Sequence, residues 1–390
     1  MTVSRVFVTD AQMRSSLAVI RSLGKKGIEV TAGEETRFAT GFFSKYCAHR
    51  AVYPSPQKKR ADFVAALVDI LQSDEYDVLF PVADACLAPI IENERVISNY
   101  TRIALPPRKT FLNGFDKGAT LKIALAQGIP CPATFFVDTP RQLEAAKRGL
   151  DYPMVIKPRI SSGRRGVAVC NDDNELLANY HVIHAEYEKV LIQEFIPRKE
   201  EFGVYALLND VSEPRAITVQ RRLRSYPVEG GPSTLRETIR NESTGEAVRL
   251  ACELLKAMNW TGVAMVEFRV DARDGVPKLM EVNPRYWGSL QLSILAGVDF
   301  PYLHYRMLMD GDVETAHAYM DGITCRWLLP GDVLWFLSAP KKLENLREFV
   351  RFDTPDDILS RTDPGPTFGF VLATLRYAFD GEMWRFVFRR

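Results

Sequence analysis

Several features that would announce a chemistry are missing from this sequence. The six cysteines (Cys47, Cys86, Cys131, Cys170, Cys252, Cys325) are scattered, with no CxxC pair. That excludes a zinc-ribbon spacing and a small disulfide scaffold, and suits reduced thiols in a cytoplasmic protein. Cys47 and His49 stand two apart in "SKYCAHR", but two ligands without a second pair make a poor metal site. The remaining histidines (His181, His184, His304, His317) form no recognisable triad with a serine or cysteine, so covalent catalysis has little support. No charge dominates: Lys plus Arg number 50 against 49 for Asp plus Glu, and nothing favours nucleic acid or an anionic membrane as partner. No window approaches the ~18 uninterrupted apolar residues of a membrane span. "MTVSRVFVTDAQ" carries neither a charged leader nor a cleavage site and reads as a first strand. No repeat or low-complexity tract is present. GxGxxG is missing after the first strand, which argues against a dinucleotide-dependent oxidoreductase, and GxxxxGK[ST] is absent, so there is no Walker loop.

What is present is a globular pattern. With 390 residues and an apolar share of 46%, the chain is expected to hold more than one core. "RVFVTD", "SSLAVIRSLGKKG" and "IEVTAGE" form a strand, helix, strand unit of parallel-sheet type, followed by the helix "ADFVAALVDILQS" and the strand "DVLFPVAD". Residues 1–110 thus have the pattern of a nucleotide-binding fold without its fingerprint, and are expected to lend a wall to a site built elsewhere. From "FDKGATLKIALAQGIPCPATFFV" onward the order of elements suits an α+β domain in two lobes. The last part, from about Gly311, is rich in Trp, Phe and Pro and ends in "GEMWRFVFRR"; a docked helix is expected there, with contact to a membrane surface or partner as the alternative.

Polar residues then gather in a pattern. In "LMEVNPRYWGS", Glu281, Asn283 and Arg285 follow an apolar run at every second position, so a strand would project all three to one side. The preceding strand "GVAMVEFRV" carries Glu267, and "ARDGV" makes a five-residue turn centred on Asp274 that sets Glu267 opposite Glu281, with Gly275 free to adopt a positive φ. Met265, Glu267 and Arg269 are expected on one face with Leu279, Glu281 and Asn283. Two close carboxylates need a compensating cation, and few hard oxygen ligands describe a magnesium site that works with a nucleotide. The plainer reading is the polar outer face of a hairpin. In "MVIKPRISSGRRGV", Lys157 ends an apolar strand, and Gly163 and Gly166 let backbone amides turn toward an anion, which would make a phosphate cradle. A basic turn in an ordinary hairpin is the alternative. In "LIQEFIPRKEEF", the strand end at Glu194, Phe195 and Ile196 can read an adenine edge through its backbone, and Glu201, seven residues after Glu194, can accept from ribose hydroxyls.

Taken in order, these motifs resemble the ATP-grasp superfamily over roughly residues 111–310, with residues 1–110 similar to the accompanying Rossmann-like domain. Biotin carboxylase and carbamoyl phosphate synthetase carry the same E-x-N-x-R hairpin. The resemblance implies an α/β and α+β architecture: a pre-ATP-grasp domain (1–110), an ATP-grasp domain with a small lobe at about 117–195 and a large lobe at about 196–310, and a C-terminal extension (311–390) of unassigned role. It implies that Glu267, Glu281 and Asn283 hold Mg2+, in two ions with Mn2+ as a possible substitute, and that Arg285 faces the phosphate or intermediate. Lys157 and Lys117, the latter in "FDKGAT", match the family's phosphate lysines, and Gly163 and Gly166 match its phosphate loop, although "SSGRRGV" departs from the common "SSGGKGV". The "EFIPRKEEF" segment is similar to the hinge of D-alanine-D-alanine ligase, and its spacing picks Glu201 over Glu200. As a whole the chain most resembles predicted carboxylate-amine ligases that include D-aspartate ligase.

That resemblance implies a cytoplasmic enzyme whose substrates are ATP, a small carboxylate and an amine, joined through an acyl phosphate, with a homodimer as a reasonable assembly. Arg221 or Arg222 in "TVQRRLRSYPVEGGPST" would reach the transferred phosphate or the substrate carboxylate, "EGGPST" would act as a mobile loop sealing the site, and Ser289 would approach the substrate. Carboxylation with bicarbonate and a non-catalytic nucleotide sensor are the rival readings. No biotin-carrier "AMKM" sequence supports the first, and the completeness of the charged set argues against the second.

Overall fold

The computed structural model describes residues 4–161, 165–228, 230–316, 318–351 and 353–377. Gly163 of the expected phosphate loop and the "GEMWRFVFRR" terminus lie outside them. Three sheets organise the rest. The first is parallel: β1 (Arg5–Val8), β2 (Glu29–Glu34), β3 (His49–Val52), β4 (Val78–Phe80) and β5 (Arg102–Ile103), in the order β3-β2-β1-β4-β5. Val6, Phe7 and Val8 are wholly buried, as a parallel strand covered on both faces requires. Strand order reverses at β1, so a crevice opens beyond the carboxyl ends of β1 and β4. Asp84, the first residue of the helix Asp84–Glu92, stands there.

The second sheet contains β6 (Thr134–Val137), β7 (Met154–Pro158), β8 (Ala168–Cys170) and β9 (Val190–Glu194), antiparallel in the order β6-β9-β7-β8. Leu143 and Leu176, from the helices Pro140–Gly149 and Asp173–Tyr187, pack with Ile156 and Ile192 to form its core. Through the short irregular link 195–197, β9 leads into the third sheet, whose strands are β10 (Arg198–Leu208), β11 (Pro214–Ser225), β12 (Ser233–Thr238), β13 (Gly262–Asp271), β14 (Pro277–Asn283) and β15 (Thr324–Arg326). Its order is β14-β13-β10-β11-β12-β15. One face buries Val204, Val219, Val266 and Phe268 against Leu250 and Leu254 of the helix Glu242–Ala257, which Asn241 and Thr244 cap reciprocally. Alternation sends the intervening residues (Glu201, Gly203, Gln220, Arg222, Arg236, Glu267) to the opposite, polar face.

β15 lies beyond Gly311 and pairs with β12, so part of the C-terminal segment continues the large sheet. Arg21, on the first helix, fastens the rest: its Nε donates to Asp363 Oδ2 at 2.9 Å, and its Nη groups donate to the carbonyls of Asp357 and Ile358. Upstream of that terminus the helix Gly365–Tyr377 carries Phe368, whose ring meets Phe43 edge-on at 5.7 Å.

Two local expectations are corrected. Glu267 does pair with Glu281 and Gly275 does have a positive φ of 76°, but a β-bulge at Met280 makes Leu279 face Phe268. Leu279 is therefore buried in the apolar core and does not share the polar face. The bulge lets β14 keep Leu279 and Val282 in that core while Glu281 stays across from Glu267. The second correction concerns "EGGPST": Ser233 and Thr234 belong to β12, Ser233 pairs with Ser225, and Thr234 Oγ1 donates to Asp332 Oδ1 at 3.0 Å. Thr234 is wholly buried, so this end of the segment is part of the sheet.

Candidate functional site

The β13–β14 hairpin brings Glu267 beside Glu281 and Met265 beside Asn283. Asn283 Nδ2 donates to Glu281 Oε1 at 3.2 Å, and Lys117 Nζ lies 3.3 Å from Glu281 Oε2. Lys117 begins the helix Lys117–Ala126, whose N-cap Asp116 accepts from the backbone N–H of Gly118 and Ala119 and pairs with Arg159. Its own Nζ also donates to the Ser161 carbonyl at 2.7 Å. From β7, Lys157 is 6% exposed, and its Nζ lies 3.4 Å from the Met280 carbonyl, which the bulge turns toward it. Both lysines thus converge on one end of the carboxylate pair.

At the other end, Arg222 Nη2 donates to Glu267 Oε2 at 3.0 Å and Nη1 lies 3.5 Å from Glu201. It spans β11 to β13 across β10, where Gly203 pairs with both Glu267 and Gln220. A Cβ at Gly203 would lie 2.9 Å from the Tyr205 ring. Glu201 also accepts from Arg269 Nη2 at 2.9 Å. Glu200 turns to the opposite face with Arg221, so of the two glutamates it is Glu201 that shares the face of Glu267. The Arg221 side chain pairs with Glu200 and Glu237 on the opposite face, whereas that of Arg222 meets Glu267. Arg285 Nε donates to Asp84 Oδ1 at 2.5 Å, so the crevice of the parallel sheet does supply one wall.

The hinge residues occupy the join between the two antiparallel sheets. Glu194 Oε1 accepts from the Ala133 N–H at 3.0 Å and its Oε2 from Arg273 at 3.0 Å, Phe195 is half-buried, and Ile196 is buried with its carbonyl 3.5 Å from Arg269 Nη1. Gly166 has φ 71°, and a Cβ there would lie 2.7 Å from Pro158, so only glycine fits. Ser289 is buried, with its Oγ 3.4 Å from the Tyr205 hydroxyl.

Electrostatics separate the two facing carboxylates. Loss of water pushes the Glu267 pKa up, with Glu281 and Glu201 adding to that push and Arg222 opposing it. Burial acts on Glu281 too, but Lys117, then Lys157 and the Asn283 hydrogen bond outweigh it and hold its carboxyl below the usual range. Burial pulls Lys157 down to about 8, against the attraction of Glu281. Glu267, Glu281 and Asn283 could hold a hard divalent cation, which would let both carboxylates stay ionised. The donor set fits Mg2+: few protein oxygens, with cationic side chains on either flank.

Sequence reasoning missed Asp84, Gln220 and Arg236 as neighbours of this site. Gln220, Arg236 and Thr238 are buried polar residues on the face that carries Glu267. The signal was available in "STLRET", where Thr234, Arg236 and Thr238 alternate with period two.

Comparison with known proteins agrees with this fold. Residues 186–329 match a family model described as ATP-grasp in the biosynthetic pathway with Ter operon. D-alanine–D-alanine ligase of Bacillus anthracis is 26% identical over 211 residues, covering 52% of this chain and 66% of that one. The chain spans from 17% to 66% of the length of two such curated relatives. Among solved structures, the biotin carboxylase domain of Hydrogenobacter thermophilus 2-oxoglutarate carboxylase, in complex with MgADP, ADP and bicarbonate, superposes with a TM-score of 0.67 at 15% identity, over 83% of this chain and 74% of that one. The L-amino acid ligase of Bacillus licheniformis gives a TM-score of 0.61 at 19% identity, over 79% and 75%. These likenesses establish the fold. No described helix is long and apolar enough to cross a membrane.

Proposed function

We propose that this chain is an ATP-grasp carboxylate–amine ligase, a reading supported by the family-model match and by its likeness to ligase-type members of the superfamily. In this reading a substrate carboxylate oxygen attacks the γ-phosphorus of ATP, ADP leaves, and an acyl phosphate forms. The amine nitrogen then attacks the activated carbonyl carbon, phosphate departs, and the nitrogen loses a proton. The work is positioning and charge neutralisation, which suits a site without a covalent nucleophile.

The observation that carries the reading is the facing pair Glu267–Glu281, flanked by Lys117 and Lys157 at one end and by Arg222 at the other, with Arg285 entering from the loop beyond Asn283. Glu267, Glu281 and Asn283 would hold magnesium, taken as two ions with Mn2+ able to substitute, and the metal would neutralise phosphate charge when bound. Lys117 and Lys157 would grip the α- and β-phosphates, and Gly163 and Gly166 would let backbone amides turn toward them. The backbone of Glu194, Phe195 and Ile196 would read the adenine edge, and Glu201 the ribose. Arg222 and Arg285 would meet the transferred phosphoryl group, or the carboxylate that accepts it. Arg221, turned to the other face, would act only by holding Glu200 and Glu237. This division of labour keeps the ATP-grasp unit at 111–310, between the Rossmann-like domain at 1–110 and the extension from 311. Small-molecule substrates, a cytoplasmic setting and a homodimer belong to the same proposal.

Product analysis tests it. Purified protein is incubated with Mg-ATP and pools of amino acids, other carboxylates, amines and bicarbonate, and ADP, AMP and phosphate are quantified. ADP and phosphate that rise only with a particular acid and amine pair support the ligase. ADP release driven by bicarbonate without an amine would replace it with a carboxylation, and ATP binding without turnover in any pool would replace it with a nucleotide sensor.

A further inference from the structure

The loops that follow β1 and β4 at the carboxyl end of the parallel sheet each carry an aspartate, Asp10 in "VTDA" and Asp84 in "PVADA". Asp10 is 7% exposed and has φ 58°, a left-handed backbone that only glycine adopts freely. Its contacts hold it there. The backbone N–H donates to the Tyr53 hydroxyl at 2.9 Å, and that hydroxyl donates to the Gly33 carbonyl at 3.2 Å. Oδ2 accepts from the Thr9 hydroxyl and from the Ala83 N–H at 3.0 Å, while Thr9 Oγ1 accepts from the Val82 N–H at 3.2 Å. The strained end of β1 therefore clamps Val82 and Ala83, the two residues immediately before Asp84.

What the clamp presents is a carboxylate with one partner. Asp84 Oδ1 accepts from Arg285 Nε at 2.5 Å, and among the described residues its side chain makes no other hydrogen bond, either with its own helix or elsewhere. Arg285 Nη1 donates to the Tyr286 carbonyl at 3.1 Å, and Nη2 has no acceptor among the described residues. The Arg285 charge favours the ionised form of Glu267, so the guanidinium stands near the carboxylate pair. A guanidinium is planar, with five donors in a fixed fork, and a grip at Nε sets the direction of the donors on Nη2. Both side chains of the pair are partly exposed, where an ion pair contributes little to stability. Stability alone therefore does not account for a strained anchor beneath it. Strain of this kind persists where the surrounding fold over-determines a working site.

We propose that Asp84 is a positioning residue: it holds the Arg285 guanidinium so that the free N–H groups meet the γ-phosphoryl group of ATP, with Asp10 anchoring the loop that carries it. This rests on the ligase reading, and of the two partners given there for Arg285 it selects the phosphoryl group. An arginine side chain left free has to be ordered when the phosphoryl group arrives, which weakens that contact roughly 10-fold. Asp84 also opposes the ligand, since its charge repels phosphate. The two effects separate chemically: asparagine keeps an acceptor for Nε and removes the charge, whereas alanine removes both. In this way the parallel-sheet domain touches no phosphate through Asp84 and still sets how tightly the phosphoryl group is held.

Calorimetry with Mg-ADP and with the magnesium complex of the β,γ-imido analogue of ATP gives, as the ratio of the two affinities, the grip on the terminal phosphoryl group without any turnover. A role confined to folding lowers both affinities and leaves the ratio unchanged. Arg285→Ala should lower the ratio roughly 10- to 100-fold, the worth of a charge-assisted hydrogen bond. Asp84→Asn should hold it at or above the wild-type value, and Asp84→Ala should bring it roughly 10-fold below Asp84→Asn. In the Arg285→Ala background the two Asp84 variants should give the same ratio, because their effect passes through that guanidinium. Asp10→Gly, which adopts the positive φ freely but releases Ala83, should lower the ratio as well and covers the case in which Asp84→Ala fails to fold. A ratio insensitive to Arg285→Ala would remove Arg285 from the phosphoryl group, taking down both the inference and the part of the ligase reading that it rests on. If Arg285→Ala lowers the ratio but Asp84→Ala and Asp84→Asn agree, or still differ without Arg285, the inference alone is overturned, as it is by an unchanged ratio in a folded Asp10→Gly protein.

Discussion

Acid should loosen this protein at one identifiable joint. His304, in the helix Phe300–Asp310, is 1% exposed, meets Phe80 of the parallel sheet edge-on at 6.1 Å, and places Nδ1 3.0 Å from the Tyr286 hydroxyl. Burial pulls its pKa from 6.5 to about 3. The folded state thus keeps the ring neutral while the unfolded chain takes up a proton below pH 6.5, so the unfolded state binds more protons and stability falls as pH falls through the window from about 6.5 to about 3. Above that window the contribution is complete. Lowering the pH from 7 to 5 should therefore remove about 2 kcal/mol through this group, at ~1.36 kcal/mol per pH unit below the unfolded pKa. Asn at 304 can still accept from the Tyr286 hydroxyl but does not titrate. Urea denaturation of wild type and His304→Asn at both pH values isolates the term, since the other ionisable groups are common to both proteins. The stability difference between the two should shift by about 2 kcal/mol in favour of the variant at pH 5. A shift below about 0.5 kcal/mol would show that His304 is protonated in the fold or not buried as described. Because Tyr286 follows Arg285, the same joint holds the loop that presents Arg285 to Asp84.

Three further outcomes follow from the site. Glu281→Gln removes the charge that Lys117 and Lys157 flank; steady-state assays should show turnover at least about 100-fold lower, with an unchanged circular dichroism spectrum. Lys157→Ala should raise the ATP concentration needed for half-maximal rate roughly 10- to 100-fold, and an unchanged ATP requirement in a folded variant would remove Lys157 from the phosphate site. Gly203→Ala drives a Cβ to 2.9 Å from Tyr205, whose ring lies 4.4 Å from that of buried Trp287; thermal melts should show a loss of about 1–3 kcal/mol, with activity reduced further because Arg222 must pass over this position.

The parts legible in the sequence were those governed by local periodicity. Strand alternation was enough to place Glu267 opposite Glu281, and Gly275 in the turn has the positive φ that its residue type suggested. The departure came one residue away: Leu279 is apolar and Glu281 polar, and only the bulge at Met280 reconciles the core's demand for the first with the site's use of the second. A pattern of period two has no symbol for an inserted residue. The same limit separated Arg221 from Arg222, because adjacent strand residues face opposite ways and the sequence does not say which face is polar until the partner of β11 is known.

The residues that the sequence concealed are those whose meaning depends on distant partners. Arg14, Arg21, Arg224, Arg236 and Arg326 look like ordinary surface cations in a chain of balanced charge, yet each pairs with a buried aspartate among Asp332, Asp357 and Asp363. These bonds cross more than 300 residues in two cases, from Arg14 to Asp357 and from Arg21 to Asp363. Desolvating that many ion pairs is costly, and apolar side chains of similar size would often stabilise a fold as well. Their arrangement makes most sense where it is incomplete. Asp332 is matched by Arg224, Arg326 and the Thr234 hydroxyl, whereas among the described residues Arg236 keeps Nε and Nη1, and Arg326 its Nε, with no acceptor. Arg236 is also the one of the five that lines the recess beside Glu267. The C-terminal segment, through Asp357, therefore holds a buried cation beside the recess at Glu267, and the fold and the edge of the site share one set of ion pairs.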